Sequence, residues 1–234
     1  MIVSWFSAGV SSFIATYLER QRVDKVLYTH IDNQHPDTLR FLRDCEKVLG
    51  KEIEILQSPY LSVENVIRQF KFINSPYGAK CTQILKKRVR KEWEYGKTDL
   101  TYIWGYDAKE TDRAERLVES MPEFNHVFPL IERGLSKDDC HGIAKELGIK
   151  RPMMYDLGYP NNNCVGCVKG GMGYWNKIRV DFPEVFDRMA KLEREVGAAC
   201  SKRVWLDELD PSRGKMTDEI LEDCSITCQL ALED

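Results

Sequence analysis

The sequence predicts an α/β fold with a mostly parallel sheet, helices on both faces, and a C-terminal helical extension. Three observations lead there. Short apolar, β-branched runs alternate with helical stretches up to about Lys150; the helical stretches are stopped by glycines such as Gly50 and Gly148; and beyond Lys150 a Pro-, Gly- and Asn-rich loop precedes a return to helix. The division that follows places one domain at residues 1–173, with a Cys-x-x-Cys loop at its end, and a helical extension with a cysteine-containing tail at 174–234.

Taken in order, Ile2 to Phe6 is a short apolar run ending in a Ser/Gly turn, Ser11 to Arg22 is helical, and Lys25 to Ile31 is strand-like. This is a βαβ opening. Asp37 to Leu49 follows as a helix, Lys51 to Leu56 as a strand and Ser62 to Phe70 as a helix. Cys81 to Trp93 reads as a basic helix, Leu100 to Trp104 as a strand and Glu110 to Glu119 as a helix. His126 to Ile131 reads as a short strand and Ser136 to Leu147 as a helix. Arg151-Pro152, Gly158-Tyr159-Pro160 and Asn161-Asn162-Asn163 mark an irregular loop leading into Cys164-Val165-Gly166-Cys167. Trp175 to Val196 is helical with a break near Pro183, and Ser201 to Asp234 is a polar tail holding Cys224 and Cys228. A parallel sheet of this kind binds ligands at the carboxyl ends of its strands.

The chain has 234 residues, 43% of them hydrophobic, enough for one sizeable core, and its formal charge of -3 argues against a globally basic nucleic-acid coat. Met1 to Phe6 lacks the charged region and long apolar stretch of a signal peptide, so the expectation is a soluble, cytoplasmic protein with no membrane partner. There its eight cysteines are thiols or metal ligands rather than staples. Cys45 and Cys140 fall among helix formers and read as small buried residues.

Three groups of residues carry chemistry. The first is the turn Ser7-Ala8-Gly9-Val10-Ser11-Ser12. A strand turning through small residues into a helix points several backbone N–H groups at one anion, and the Ser7, Ser11 and Ser12 hydroxyls add donors. A plain serine-capped turn accounts for the same residues. The second is the basic run Lys86-Lys87-Arg88-Val89-Arg90, of which Lys87 and Arg90 stand within one turn of each other and can meet an anionic ligand; a solvated helix face is the alternative. The third is Cys81 with Cys164 and Cys167, a Cys-x-x-Cys plus a distant thiolate of the kind that holds an iron-sulfur cluster. Two alternatives stay open: a zinc site of Cys164, Cys167, Cys224 and Cys228, and unligated thiols. Cys224 and Cys228, spaced by one helical turn, also suit a redox-active pair.

The turn at 7–12 resembles the Ser-Gly-Gly-x-Asp-Ser loop of the PP-loop superfamily of adenine nucleotide alpha hydrolases, and in particular its phosphoadenylyl-sulfate reductase-like branch. Ala8 replaces the first glycine and Ser11 the aspartate. Lys80 to Arg88 resembles that branch's cysteine followed by a basic helix. Gly105 to Arg113 resembles its Gly-x-Arg-x-x-Glu-Ser-x-x-Arg segment, with Asp107 in place of the arginine and Glu110 and Arg113 near the family's acidic and basic positions. Asp32 lies where relatives place residues near the nucleotide, although a surface turn explains it equally well.

The resemblance covers roughly residues 2–173 and implies an enzyme that binds ATP or a related adenine nucleotide, with Mg as a further cofactor, and handles sulfur. Ligation by Cys81, Cys164 and Cys167 would leave a [4Fe-4S] cluster with one open iron, as in the tRNA 2-thiolation branch. The implied reaction is sulfur transfer to an ATP-activated acceptor. The alternative is reduction of a sulfonucleotide with release of sulfite, in which Cys224 and Cys228 act as catalytic thiols although the reductases' Glu-Cys-Gly-x-x-His motif is absent. A reading of another class also stays open: a non-catalytic nucleotide-binding or DNA-modification partner protein that keeps the fold without turnover. A sulfur donor or thiol reductant is an implied partner, a nucleic acid an allowed acceptor and a homodimer an allowed assembly.

Overall fold

Side-chain alternation along the strands assigns the two faces of the sheet. In β1 (Ile2–Phe6), Val3 and Trp5 join an apolar cluster with Leu27 and Tyr102, whereas Phe6 joins the opposite cluster with Val26, Tyr28 and Ile103. The computed structural model describes residues 1–75, 78–200 and 204–216. β1 leads into α1 (Val10–Leu18), β2 (Lys25–His30), α2 (Asp37–Leu49), β3 (Ile53–Gln57) and α3 (Val63–Phe70). A small antiparallel pair, β4 (Asn74–Ser75) and β5 (Gly78–Ala79), precedes α4 (Lys80–Thr82), a π-helical segment Gln83–Lys87 and α5 (Arg88–Glu94). Then come β6 (Thr101–Ile103), α6 (Thr111–Ser120), β7 (Asn125–Val127), α7 (Pro129–Glu132) and α8 (Lys137–Glu146). The described chain ends with α9 (Met153–Asp156), α10 (Met172–Asp181), α11 (Pro183–Val196) and a 3-10 turn Leu206–Glu208.

The main sheet has five parallel strands in the order β3-β2-β1-β6-β7. Phe13 of α1, Phe41 of α2 and Cys140 of α8 cover one face, and Ala114 and Leu117 of α6 with Trp93 of α5 cover the other. The chain is therefore α/β, with helices on both faces as its alternating pattern predicts. A third cluster gathers α3, the Cys164–Val168 segment, α10 and α11 around Trp175, Ile178, Phe186 and Met189, so apolar packing runs across the 173/174 boundary. Among the described residues no helix is long and apolar enough to cross a membrane.

The departures from the sequence expectations have local causes. The strand expected over His126 to Ile131 stops at Val127, because Pro129 has no N–H for a ladder and suits the first turn of α7 instead. The first helix stops at Leu18, where the N–H groups of Arg22 and Val23 turn back onto the Glu19 carbonyl. The basic helix is continuous but widens over Gln83–Lys87, and the irregular loop contains one short helix, Met153–Asp156.

Ser136 illustrates how sequence sets an element's start. Its hydroxyl accepts from the Asp139 N–H at 3.2 Å, and the Asp139 carboxylate accepts from the Ser136 N–H at 2.8 Å, a reciprocal cap on α8. Ser136→Ala should lower the unfolding free energy by about 1 kcal/mol in urea titrations.

Candidate functional site: the turn after the first strand and its cysteine wall

Chain order in the sheet reverses at β1, which has β2 on one side and the later β6 on the other, so a crevice opens at the carboxyl ends of β1 and β6. β1 runs into Ser7-Ala8-Gly9. Ala8 takes a left-handed φ of 62°, and Gly9 is the extended N-cap of α1 with no side-chain cap. Ser12 knits the turn: its hydroxyl donates to the Gly9 carbonyl at 2.9 Å and accepts from the Ser7 N–H at 3.2 Å and the Ser7 hydroxyl at 3.1 Å. The Val10 N–H points to the Tyr155 hydroxyl at 3.4 Å. Beyond β6, Gly105 lies so close to this turn that a Cβ would stand 2.5 Å from Ser12 Cα and 2.7 Å from Ser12 N. The expected Ser7, Ala8, Gly9, Ser12 and Gly105 are thus brought together.

The opposite wall is the Asn161–Cys167 segment. The Asn162 amide donates to the Ala8 carbonyl at 2.9 Å and to Thr38 Oγ1 at 3.2 Å, while its buried Oδ1 has no partner among the described residues. The Val165 N–H donates to the Asn33 carbonyl at 2.8 Å, and Asn33 in turn holds α3 by accepting from the Val63 N–H at 2.7 Å. Upstream, the Asp37 carboxylate accepts from Arg40 and, at 2.8 Å, from the Met153 N–H, while Arg40 donates to the carbonyls of Lys150 and Arg151 at 2.7 and 3.1 Å. Sequence reasoning marked this stretch as irregular and did not identify Asn162.

The polar residues divide between the site and its support. Ser11 hydrogen-bonds with the Cys140 thiol, which burial pushes up to about 12 with the Asp107 charge adding to the effect. Asp107 is itself buried, accepts from the Lys109 N–H at 2.8 Å and donates its own N–H to Glu110 at 3.1 Å. Glu110 pairs with Arg113, whose guanidinium lies 4.5 Å over the Tyr106 ring. Glu110 and Arg113 therefore brace the turn that carries Asp107. Asp32 sits half-exposed at the rim, accepting from Gln57 at 2.8 Å with His30 at 3.8 Å. Arg90 is buried against Met121 and pairs with Glu94 at 3.5 Å, and among the described residues no hydrogen bond or ion pair links it to the 7–12 turn. Lys87 is half-buried on the π segment, and Lys86 is the lysine turned inward, 5% exposed and within electrostatic reach of the buried Tyr28, as is Cys164. Tyr28 pairs in register with Phe6, the residue before the turn.

Cys164 and Cys167 are buried in the third apolar cluster and Cys81 packs against it; none forms a disulfide. The Tyr174 hydroxyl accepts from the Cys167 N–H at 2.8 Å and donates to the Cys164 carbonyl at 3.2 Å, which fixes the Cys-x-x-Cys turn. Gly170 accommodates the Tyr174 ring, whose Cδ1 would be 1.9 Å from an added Cβ, so this glycine makes room for protein. A fourth cysteine unmarked by any motif, Cys200, shares the cluster. Burial pushes its thiol well up, with Glu193, Cys167 and Cys81 adding to the effect. Among the described residues no group of three or more His, Cys, Asp or Glu is gathered tightly enough for one metal ion. A cluster spreads its thiolates over several irons, so its ligands stand farther apart than those of a single ion. Two buried donors in this region, Thr82 Oγ1 and Trp175 Nε1, have no acceptor among the described residues, and cluster sulfides accept such bonds. Thr82 and Trp175 are thus the donors that a cluster held by these cysteines would meet. Cys224 and Cys228, expected as catalytic thiols or zinc ligands, lie outside the described residues.

No protein-family model matches the chain, and no curated protein matches it.

Two outcomes follow from this geometry. Gly105→Ala should destabilise the fold by about 1–3 kcal/mol in urea unfolding, since the clash is with main chain that cannot swing aside. Arg40 holds the Asp37 carboxyl below the usual range. A carboxyl depressed in the folded state stabilises above its unfolded pKa and loses that contribution as pH falls through the folded value. Asp37→Asn should therefore lower stability at neutral pH and flatten the acid limb of the stability curve recorded from about pH 7 to about pH 3.

Proposed function

We propose that the protein is an enzyme of the PP-loop superfamily, in its phosphoadenylyl-sulfate reductase-like branch, that binds an adenine nucleotide at the 7–12 turn and performs sulfur chemistry beside a cysteine-held [4Fe-4S] cluster. The observation that carries this reading is the hydrogen bond from Asn162 to the Ala8 carbonyl, which joins the cysteine segment directly to the anion-binding turn. A nucleotide bound at a helix N-terminus would meet backbone N–H groups and the favourable end of the α1 dipole. Cys81, Cys164 and Cys167 would hold the cluster, which when bound supplies a redox-active centre rich in sulfide beside the nucleotide. Lys86 would offset negative charge between the two.

In the transfer reaction, an acceptor oxygen attacks the α-phosphorus of ATP and pyrophosphate leaves. A sulfide donor then attacks the acceptor carbon, a C–S bond forms, the C–O bond breaks and AMP leaves. Asp107, whose charge reaches the Cys140 thiol beside Ser11, would be the carboxylate available to Mg in place of an aspartate at position 11.

Ser11 also favours a second reading, reduction of adenylyl sulfate, because that reaction needs anion binding but no cleavage of ATP. A Cys224 thiolate would attack the sulfate sulfur, breaking its bond to oxygen and releasing AMP. Cys228 would then form a disulfide with Cys224, reducing the sulfur and releasing sulfite.

Calorimetry with ATP, AMP and adenylyl sulfate tests the binding step. Gly9→Val should weaken affinity about tenfold or more by blocking the anion, while far-UV circular dichroism stays unchanged. If the unaltered protein binds none of the three, the assignment fails. Pyrophosphate and AMP as products identify transfer, sulfite identifies reduction, and tight binding without product identifies a non-catalytic nucleotide-binding partner.

A further inference from the structure

We propose that Cys200 is the fourth thiolate of the Cys81, Cys164 and Cys167 centre, which makes it a closed four-cysteine site. This rests on the cysteine-centre reading given above and decides how that centre can act.

Two side chains gather the four cysteines. Asn74 has two amide hydrogens and directs one to the Val168 carbonyl, next to Cys167, and the other to the Cys200 carbonyl at 3.1 Å. The same residue pairs across the β4–β5 ladder with Ala79, which leads directly into Lys80 and Cys81. One side chain and its strand register therefore tie together the segments that carry Cys81, Cys167 and Cys200. Tyr174 adds Cys164 by bonding the Cys164 carbonyl and the Cys167 N–H.

Cys200 is also fixed from its own side. It follows α11, which ends at Gly197 with a left-handed φ of 72°. The carboxylate of Glu193, with none of its surface exposed, accepts from the Cys200 N–H and, at 2.7 Å, from the Leu206 N–H. Hydrogen bonds from main-chain N–H groups offset the cost of burying Glu193, so its carboxyl fixes the main chain at Cys200. Cys200 is 4% exposed and shares the apolar cluster of Cys164 and Cys167, whereas Cys45 and Cys140 belong to the separate cluster under α1, α2 and α8.

Four protein thiolates leave no iron open to an exogenous ligand. Sulfide bound at an open iron is then excluded as the sulfur source, and transferred sulfur must come from a separate donor.

The test is anaerobic reconstitution of the full chain with ferrous iron and sulfide, followed by metal analysis, electron paramagnetic resonance of the reduced state and Mössbauer spectroscopy. Cys200→Ala should lose most of the iron and sulfide, Cys200→Asp should retain a cluster with an altered resonance spectrum, and Cys45→Ala should match the unaltered chain. The unaltered chain should show no unique iron by Mössbauer spectroscopy, a readout that needs no variant to fold. Retention of the full cluster with an unchanged spectrum in Cys200→Ala, or a three-to-one split of the irons in the unaltered chain, overturns Cys200 as ligand and leaves the cluster reading standing. If the unaltered chain takes zinc and no iron, the cluster reading fails, and zinc loss or retention in Cys200→Ala supports or overturns the fourth thiolate. A chain that takes neither metal overturns both.

Discussion

The contact between Gly105 and the main chain of Ser12 governs the site. β6 is only three residues long, and its register on β1 ends at Ser4 and Ile103, so the two strands diverge immediately beyond it. A side chain at position 105 would widen that divergence and pull apart the Ser7–Ser12 network. With glycine there, the first turn of α1 is held between β6 and the Asn161–Cys167 wall. The wall is secured by satisfying main-chain groups: Asn162 meets the Ala8 carbonyl and Val165 meets the Asn33 carbonyl. Leaving such buried groups unmet costs about 1–3 kcal/mol each, so sheet edge, turn and cysteine segment are energetically one unit.

Much of this architecture is legible in residues. α2 matches its expected limits because Gly50 stops it with a left-handed φ of 63°, and the strand–helix alternation of the first half of the chain indicates a parallel sheet covered on both faces. The 7–12 turn leads from β1 into α1 as its small residues indicate, and Gly105 lies against it. Arg90 does not follow from spacing, because regular helical geometry gives no account of the widened Gln83–Lys87 turn or of the pairing with Glu94.

Cys200 shows the limit of motif reading most clearly. Its neighbours are assembled by Asn74 and Tyr174 through contacts distant in sequence, and no local spacing records them. A faint signal exists: Phe186, Met189, Ala190 and Glu193 fall on one helical face, so a charged residue interrupts an apolar stripe shortly before a cysteine. Such an interruption asks what the charge holds.

The Asn74 bridge also has a temporal meaning. Its two carbonyl partners lie 94 and 126 residues further along the chain, and its own strand partner is close by. During synthesis the sheet and the 7–12 turn can begin to form from early segments, whereas the cysteine pocket must wait until residue 200 has left the ribosome. Through that interval Cys81 is present without its companions, open to oxidation or to stray metal. If these cysteines hold the proposed cluster, its loading would belong to the last stage of maturation, and the half-made chain would be the form most in need of protection.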